Sequence, residues 1–416
     1  MRVSPWLGPG RRNRPGNILF RFAALKTSAL TTVSARLAFC TLLGFCEYSR
    51  ADLARVTLVR TPDGGIQPQA VVDAKGMVHM IYFKGKPLGG DIFYVRGGPA
   101  TASFSPPIRV NHQPGSAIAT GTIRGPQLAV GGNGRVHVAW MGGEGAPRVA
   151  IDGQEATPML YTRLNDDRTA FEPERNLITW APGLDGGGSV AADSSGKVYV
   201  TWHASPPGNA VGEAGRAVFV TRSIDEGKRF DRERRANSKA IGACGCCGMR
   251  AFANSKGTLY ILYRAADGIG RDMTLLVSRD QAASFETQTV NPWMVKACPM
   301  SSCAFAESAY GVVAATEKEG QVSFNLVEPE TFRLSKPSSV PGAEKCRHPA
   351  VAANPQGEIL LAWTEGTGWE KGGALAWRVF GKDGKPTAES GRADGVPVWG
   401  LPTAFSRGDG GFVIVY

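Results

Sequence analysis

Six cysteines lie in the second half of the chain, and thiol chemistry is the first chemistry that the sequence offers. They are Cys244, Cys246, Cys247, Cys298, Cys303 and Cys346. Thiols grouped in this way either pair as disulfides or bind a soft metal ion such as copper or zinc. His348, Met249 and Met300 lie among them and would suit a soft metal site, although the spacing is not that of a zinc finger. The spacing does not decide the disulfide pairing.

The N-terminal segment bears on this choice, because it predicts the compartment of the protein. Residues 1–51 start with a basic lead, continue with the apolar run Leu37–Cys46, and end with Ser49-Arg50-Ala51, which resembles a cleavage site. This order predicts a secretory signal peptide and a secreted or periplasmic mature chain. The apolar run is too short to span a bilayer, so no stable membrane insertion is expected after cleavage. In an oxidising compartment an even number of cysteines favours disulfides over a metal, and no cofactor is expected.

The basic charge of the chain comes largely from this leader. The sequence has 47 basic and 36 acidic residues, of which eight and one lie in residues 1–51. The remaining 39 basic and 35 acidic residues leave only a small positive charge. Without a basic stripe, a nucleic-acid partner is not expected, whereas an anionic small ligand remains compatible with the charge.

The elements that position these residues follow from a repeat. The pattern is Pro-x-apolar-Ala/Val-x-Asp/Asn-x-x-Gly-x-Val-x-Val-x-Trp/Tyr, which predicts two strands joined by a glycine turn. Clear copies begin at Pro68, Pro126, Ser189, Arg250 and Pro349, a weaker copy begins at Cys303, and a partial copy covers 402–416. A second hairpin follows each full copy, and four short antiparallel strands per unit make a propeller blade. We therefore predict an all-β fold, a six-bladed β-propeller over residues 52–416, with the last strands completing the first blade. Seven blades are the alternative.

A turn in the third unit and a related turn in the fourth give a more specific signal. The positions in question are Ser223, Asp225, Gly227 and Phe230 in the third unit, and Ser278, Asp280 and Phe285 in the fourth. Short polar side chains that bond the turn backbone, a glycine for a left-handed residue and a packed aromatic ring make a tight hairpin corner. This pattern resembles the Asp-box, or bacterial neuraminidase repeat, of sialidase-like β-propellers. The resemblance covers residues 60–416 and implies that these turns are structural.

The resemblance also implies a site at the centre of the ring, which the segments entering each repeat would face. Sialidases clamp a substrate carboxylate with three arginines, and they use an aspartate acid and a tyrosine nucleophile polarised by a glutamate. On this chain the resemblance gives Arg124, Arg250 and Arg347 as the clamp, Asp185 as the acid, and Tyr263 with Glu365 as the nucleophile pair. Further ligand-binding candidates in the entry segments are Gln67, Gln69 and His348. Gln67-Pro68-Gln69 stands where the family has an Arg-Ile-Pro motif, which is a departure from the sialidase pattern.

Three functions follow from these features. The first is a protein that acts on or binds glycans, either as a divergent exo-glycosidase or as a lectin-like binder. The second is a non-catalytic extracytoplasmic scaffold that disulfides stabilise. The third is a propeller that binds a soft metal, copper or zinc, through its cysteines.

Overall fold

Short antiparallel strands and tight turns make up nearly all of the described chain. The computed structural model describes residues 55–98, 103–121, 124–151, 153–208 and 212–416, and the predicted signal peptide lies outside them. Strand β1 (Val56–Val59) is followed by a 3-10 turn at Pro62–Gly64, the one helical element among these residues. No helix of the described residues has the length and apolar character needed to cross a membrane.

The strands after β1 form successive sheets in chain order. Blade 1 contains β2 (Ile66–Val72), β3 (Val78–Lys86), β4 (Gly89–Gly97) and β5 (Ile108–Arg109). Blade 2 contains β6 (Gln127–Val130), β7 (Val136–Met141), β10 (Met159–Arg163) and β11 (Arg175–Asn176), with the small hairpin β8 (Val149–Ile151) and β9 (Gln154–Ala156) inserted. Blade 3 contains β12 (Gly183–Ala192), β13 (Val198–Ser205), β14 (Ala217–Ser223) and β15 (Arg234–Arg235).

The later sheets follow the same order, from an inner strand outward. Blade 4 contains β16 (Gly242–Ala243), β17 (Arg250–Ala253), β18 (Leu259–Ala266), β19 (Met273–Ser278) and β20 (Glu286–Asn291). Blade 5 contains β21 (Ala304–Ser308), β22 (Gly311–Lys318), β23 (Gln321–Val327) and β24 (Ser338–Ser339). Blade 6 contains β25 (Cys346–Ala353), β26 (Ile359–Glu365), β27 (Gly373–Phe380) and β28 (Pro386–Val396). Blade 7 contains β29 (Thr403–Ser406), β30 (Phe412–Val415) and β1.

The ring therefore has seven blades, and the prediction of six is wrong while its alternative is confirmed. Blade 1 already has four strands of its own, so the C-terminal hairpin does not complete it. Instead β1 lies parallel to β30, with Val56 opposite Phe412 and Leu58 opposite Ile414, and this gives the hairpin a third strand. The innermost strands contact one another all the way round, from β2 through β29 and back to β2. Pairing the two ends of the described chain in one blade closes the ring and covers the edge of β30.

The repeated Asp/Asn-x-x-Gly element explains the turn between the first two strands of most blades. In blade 1, Asp73 Oδ1 accepts the backbone N–H groups of Lys75 and Met77, and Gly76 takes the left-handed conformation with φ of 77°. The same arrangement recurs around Asp193, Asn254 and Asn354. A short polar side chain thus replaces backbone partners within the turn, and glycine avoids the Cβ strain that the turn would impose.

The Ser223–Phe230 turn connects blade 3 to blade 2 at the periphery. Ser223 Oγ accepts the Gly227 N–H at 2.9 Å, Asp225 Oδ1 accepts the Arg229 N–H at 2.9 Å, and the Phe230 ring meets the Tyr161 ring edge-on at 4.8 Å. The Ser278–Phe285 turn has the matching bonds, from Ala282 to Ser278 and from Ser284 to Asp280. None of these residues lines the central channel, so the two turns have a structural role, in which they help neighbouring blades pack together.

Replacing Gly227 by alanine should destabilise the protein by about 2 kcal/mol. Gly227 has φ of 78°, and a Cβ there would lie 1.8 Å from the hydroxyl oxygen of the buried Tyr161. Chemical denaturation of the variant measures the loss. Ala282→Gly is the matched control, because Ala282 already adopts φ of 64° in the equivalent turn and this variant should change stability little. Equal stability of Gly227→Ala and the parent protein would contradict the steric argument.

Candidate ligand site at the mouth of the channel

The innermost strands enclose a central channel of about 280 Å³. Six of the seven blades contribute to its lining, among them blade 1 through Gln67 and Gln69, blade 4 through Arg250, and blade 6 through His348. Four ligand-binding residues that the sequence predicts therefore share one cavity. The channel combines apolar strand side chains with a few polar groups, as ligand pockets in proteins commonly do.

Irregular pairing places these polar groups. The register between the first two strands shifts between Ile66 and Gln69 in blade 1, between Leu184 and Gly188 in blade 3, and between Arg347 and Ala350 in blade 6. In two of these bulges a non-glycine residue is left-handed, since Gln67 and His348 each have φ of 53°. Bulges redirect side chains and are frequent beside functional sites. Left-handed residues other than glycine store strain, which favours a functional reason for them.

Arg250 carries a positive charge into this channel without an acidic partner. Its Nη1 donates to the Gln69 side-chain oxygen at 2.8 Å, on the inner strand of blade 1, and its Nε donates to the Cys303 carbonyl at 3.5 Å. No carboxylate in the described part of the chain forms an ion pair with it. Burial lowers the pKa of this guanidinium, because the charged form is poorly solvated there. An arginine nevertheless stays charged, so the channel contains a cation that lacks an anion.

Asp185 joins two arginines at the mouth of the ring. Its carboxylate lies 2.5 Å from Arg216 Nη2, on the loop between β13 and β14, and 3.4 Å from Arg124 Nη2, in the segment that enters blade 2. The Asp185 side chain is 45% exposed, so the cluster is open to solvent. The carboxylate and the two guanidinium groups thus present both acceptors and donors to a ligand at the mouth.

An exposed tryptophan lies beside this cluster. Trp369, on the loop between β26 and β27, is 57% exposed and stands edge-on to Trp399 with ring centroids 4.6 Å apart. A Cβ at Gly121 would lie 3.6 Å from the Trp369 ring and 2.9 Å from Arg124 Nη1, so the ring and the guanidinium flank one point. The Trp399 carbonyl accepts the Gln67 side-chain amide at 3.0 Å, which connects the aromatic pair to the channel lining.

His348 and Glu317 lie together where blades 5 and 6 meet. The His348 ring bonds Ser302 Oγ at 3.2 Å, and its backbone N–H donates to Glu317 Oε2 at 3.3 Å. Burial, together with the nearby Arg347 charge, lowers the pKa of His348 to about 4, so the imidazole is neutral at pH 7. Burial has the opposite effect on Glu317 and raises its pKa to about 8, against the influence of Arg347.

The structure does not assemble the other predicted residues into a sialidase-type centre. Arg347 lines a separate surface pocket beside Glu319 and Lys371, so it does not join Arg250 in a clamp. Tyr263 is buried in the core between blades 3 and 4. Glu365 binds Trp363 and Arg392 within blade 6. Tyr263 and Glu365 belong to blades that are not neighbours, and this separation keeps the predicted nucleophile pair apart.

No family model matches the chain, and no curated protein matches its sequence. Solved structures are similar to it at low sequence identity. A protein of unknown function from Dyadobacter fermentans DSM 18053 is 12% identical, with 86% of this chain and 95% of that chain covered and a TM-score of 0.44. The Hadza microbial sialidase Hz136 is 15% identical, with 77% and 69% covered and a TM-score of 0.49. The Penicillium chrysogenum α-L-arabinanase, solved with arabinobiose, is 13% identical, with 78% and 95% covered and a TM-score of 0.49. The likeness to these proteins is one of fold.

Four of the six predicted cysteines lie near one another on the channel side of the ring. All six are free thiols among the described residues, so the predicted disulfides are not confirmed. Cys303 lines the channel and Cys346 is buried alone in the core between blades 5 and 6. The remaining four, Cys244, Cys246, Cys247 and Cys298, lie near one another on the segments that enter blades 4 and 5.

Several residues of this region escape sequence reasoning. Trp369, Trp399 and Arg216 lie outside the repeat pattern, on loops whose position depends on the closed ring. Arg264 follows the aromatic that ends the fourth repeat and looks like a solvent-facing strand residue, yet it is fully buried. The repeat could have identified Arg216 and Trp369 as residues near the mouth. Both lie between the second and third strands of a unit, on the same side of the ring as the entry segments.

Proposed function

We propose that this protein is an exported β-propeller that binds an acidic saccharide at the mouth of its central channel. The observation that carries the proposal is Arg250, a guanidinium in the channel whose polar partners are an amide oxygen and a carbonyl oxygen. A buried cation without a counter-ion is costly unless an anion binds to it. Arginine is suited to a carboxylate, because its planar fork can donate two parallel hydrogen bonds.

The rim of the channel favours a sugar as the carrier of that carboxylate. The exposed face of Trp369 offers a flat apolar surface, and the apolar face of a pyranose ring can lie on such a surface. Arg124, Asp185 and Arg216 lie at the rim of the same mouth with donors and acceptors that match sugar hydroxyl groups. An acidic saccharide meets both requirements, with its carboxylate toward Arg250 and a ring on Trp369.

Binding is favoured over hydrolysis by the placement of the acidic groups. A glycosidase needs an acid and a nucleophile or base on opposite sides of one bond, usually two carboxyl groups about 5 to 9 Å apart. Asp185 is held between two arginines, and the predicted Tyr263 and Glu365 pair is not assembled. The exposed rim thus has the groups to hold a saccharide, whereas Asp185, its acidic group, is already paired with Arg124 and Arg216.

Titration calorimetry of the full-length protein with N-acetylneuraminic acid, glucuronic acid and neutral glucose tests this proposal. The acidic sugars should bind at least about tenfold more tightly than glucose, because a partly desolvated ion pair contributes more than about 1.4 kcal/mol. Arg250→Gln should weaken the acidic sugars by about thirtyfold, and Trp369→Ala should weaken them by about tenfold. The thermal stability of Arg250→Gln should equal or exceed that of the parent, because the variant removes a half-buried charge that has no carboxylate partner among the described residues.

Arg229→Ala is the matched control, because Arg229 is 90% exposed at the outer turn of blade 3 and should leave affinity unchanged. Equal affinity for glucose and the acidic sugars, or full affinity in Arg250→Gln, would contradict the proposal. Release of 4-methylumbelliferone from an N-acetylneuraminic acid conjugate, abolished by Asp185→Asn, would show a glycosidase in place of a binder.

A further inference from the structure

The sulfur atoms of one loop converge to distances that suit a metal ion. Cys244 Sγ lies 3.2 Å from Cys246 Sγ and 3.7 Å from Cys247 Sγ, and the three sulfurs are all within 4.8 Å of one another. A tetrahedral centre with metal–sulfur bonds of about 2.3 Å places its sulfurs about 3.8 Å apart. Disulfide sulfurs are about 2.0 Å apart. Consecutive residues such as Cys246 and Cys247 pair only with strain, because their Cα atoms are about 3.8 Å apart.

A fourth thiol comes from the neighbouring blade entry. Cys298 Sγ, Cys246 Sγ and a Glu213 carboxylate oxygen also lie within 4.8 Å of one another. The Glu213 carboxylate is held at 2.5 Å by Arg271 Nη2, so it is already paired. Cys298 is an exposed free thiol. Three thiols of one loop therefore surround one point, and the Cys298 thiol of the next segment lies beside one of them, Cys246.

The backbone explains why the loop presents its sulfurs together. The inner strand of blade 4 is interrupted, since β16 pairs with one end of β18 and β17 pairs with the other end. Residues 244–249 leave the sheet between these two strands. Gly245 lies against the Asp185–Arg216 pair, because a Cβ there would lie 2.8 Å from the Asp185 carboxylate and 2.7 Å from the Arg216 guanidinium. The interruption thus turns three sulfurs toward one another while the backbone packs on the rim of the mouth.

Arg264 supplies an independent reason for negative charge at this point. It is fully buried, and its partners are Ser301 Oγ, the carbonyl groups of Arg271 and Glu317, and the Trp293 ring. No carboxylate of the described residues pairs with it. Ser301 Oγ also contacts Cys247 Sγ at 3.5 Å, so this serine links the guanidinium to the thiol group. A buried guanidinium needs a counter-charge, and a cluster of thiolates provides one.

His203 adds a second unmet requirement beside the loop. It is fully buried, and neither ring nitrogen has a hydrogen-bond partner among the described residues. The Cβ position of Gly186 would lie 3.0 Å from its Nδ1 and 2.5 Å from the Gly245 carbonyl oxygen, so the imidazole borders the cysteine loop. Buried polar groups without partners are rare in proteins and call for an explanation such as a bound ion.

We infer that Cys244, Cys246, Cys247 and Cys298 bind one soft cation, Zn²⁺ or Cu⁺, through four thiolates. Thiolate ligands select these ions over Mg²⁺ or Ca²⁺, which take oxygen ligands. Binding would release the thiol protons, and the resulting anionic centre lies next to the buried Arg264 guanidinium. The site uses none of the side chains assigned to saccharide binding, so it stands whether or not the saccharide proposal holds.

The test is metal content after loading. Full-length protein, reduced and kept without oxygen, is loaded with Zn²⁺ alone or with Cu⁺ alone, desalted, and analysed for metal by mass spectrometry. One ion per chain is expected, and Cys246→Ala should weaken binding by more than about a hundredfold. Substitution with Co²⁺ should give thiolate-to-cobalt charge-transfer absorption, and Cys246→Ala should abolish it. Comparison of the two loadings shows which ion is retained.

Cys346→Ala is the matched control, since Cys346 is a buried thiol in a different core cluster, and this variant should leave the metal content unchanged. Absence of retained metal, or an unchanged metal content in Cys246→Ala, would overturn the inference. Disulfides that involve Cys244, Cys246 or Cys247 in protein isolated from its natural compartment would overturn it as well. Loss of affinity in His203→Gln but not in Cys298→Ser would overturn the assignment of the fourth ligand.

Discussion

A chain that starts at Arg60 should fail to form the stable ring, whereas a chain that starts at Arg55 should fold. The difference is strand β1, which lies parallel to β30 in blade 7. The Val59 carbonyl accepts the Tyr416 N–H at 3.1 Å, and the Arg55 carbonyl accepts the Phe412 N–H at 2.8 Å. Removal of β1 deletes these bonds and uncovers a buried strand, so we expect a loss of more than about 4 kcal/mol.

Denaturation curves and gel filtration of the two truncated chains measure this effect. The shorter chain should aggregate, because the free edge of β30 is a template for pairing with other molecules. The chain that starts at Arg55 is the control, since it retains β1 and loses none of the described residues. Equal stability of the two chains would show that β29 and β30 form a sufficient blade by themselves, and would contradict closure by β1.

The repeat explains why so much of the fold follows from the sequence. Each copy combines period-two alternation with an Asp/Asn-x-x-Gly turn, and both are local signals. The aromatic residue that ends most copies, such as Trp140, Trp202 and Tyr263, is buried. The number of blades was wrong because the deciding contact, between Val56 and Phe412, joins distant parts of the chain. The short β1 carries no copy of the repeat that could reveal it.

The site follows from the sequence only in part, for a related reason. Entry segments were identified correctly as channel-facing for Gln67, Gln69, Arg250 and His348, because their place in the repeat fixes their position in the ring. Arg347 departs from this pattern, since it lies beside the left-handed His348 in a bulge and lines an outer pocket. A single-residue bulge reverses the side of the strand to which the following side chains point, and the local sequence does not predict such a bulge. The family resemblance suggested Tyr263 and Glu365 as a nucleophile pair, but the structure keeps them apart. Tyr263 packs in the core between blades 3 and 4, and Glu365 pairs with Arg392 in blade 6.

The same irregularities distinguish the upper rim of the ring from its regular core. In blade 4 the interruption is widest and presents three cysteines, while in blades 1 and 6 it presents a glutamine and a histidine. Below these points the first two strands of each of these blades keep a regular register. The left-handed Gln67 and His348 lie at the rim together with His203, whose ring nitrogens have no partner among the described residues, and such groups are expected to serve binding.

Glu317→Gln should make the protein more stable at pH 8 by about 4 kcal/mol and leave its stability near pH 4 almost unchanged. The Glu317 side chain is 2% exposed, and burial raises its pKa from 4.5 to about 8. Below pH 4.5 the carboxyl group is protonated in both states and has no effect on the pH dependence. Between pH 4.5 and 8 the unfolded chain releases this proton while the folded chain keeps it, so the free energy of unfolding falls as the pH rises. Above pH 8 the folded state ionises too, and the loss levels off.

Glutamine has the shape of the protonated acid and keeps an oxygen for the His348 N–H, which Glu317 accepts at 3.3 Å. Urea denaturation of both proteins from pH 4 to pH 9 measures the effect, and the two stability curves should separate above pH 5. Glu319→Gln is the matched control two residues away, with a side chain that is 63% exposed, and its curve should follow that of the parent protein. Parallel curves for Glu317→Gln and the parent would show that Glu317 ionises in the folded state as readily as in the unfolded one. The Arg347 charge would then outweigh the effect of burial on the pKa of Glu317. The conclusion that Glu317 is protonated at neutral pH would have to be abandoned.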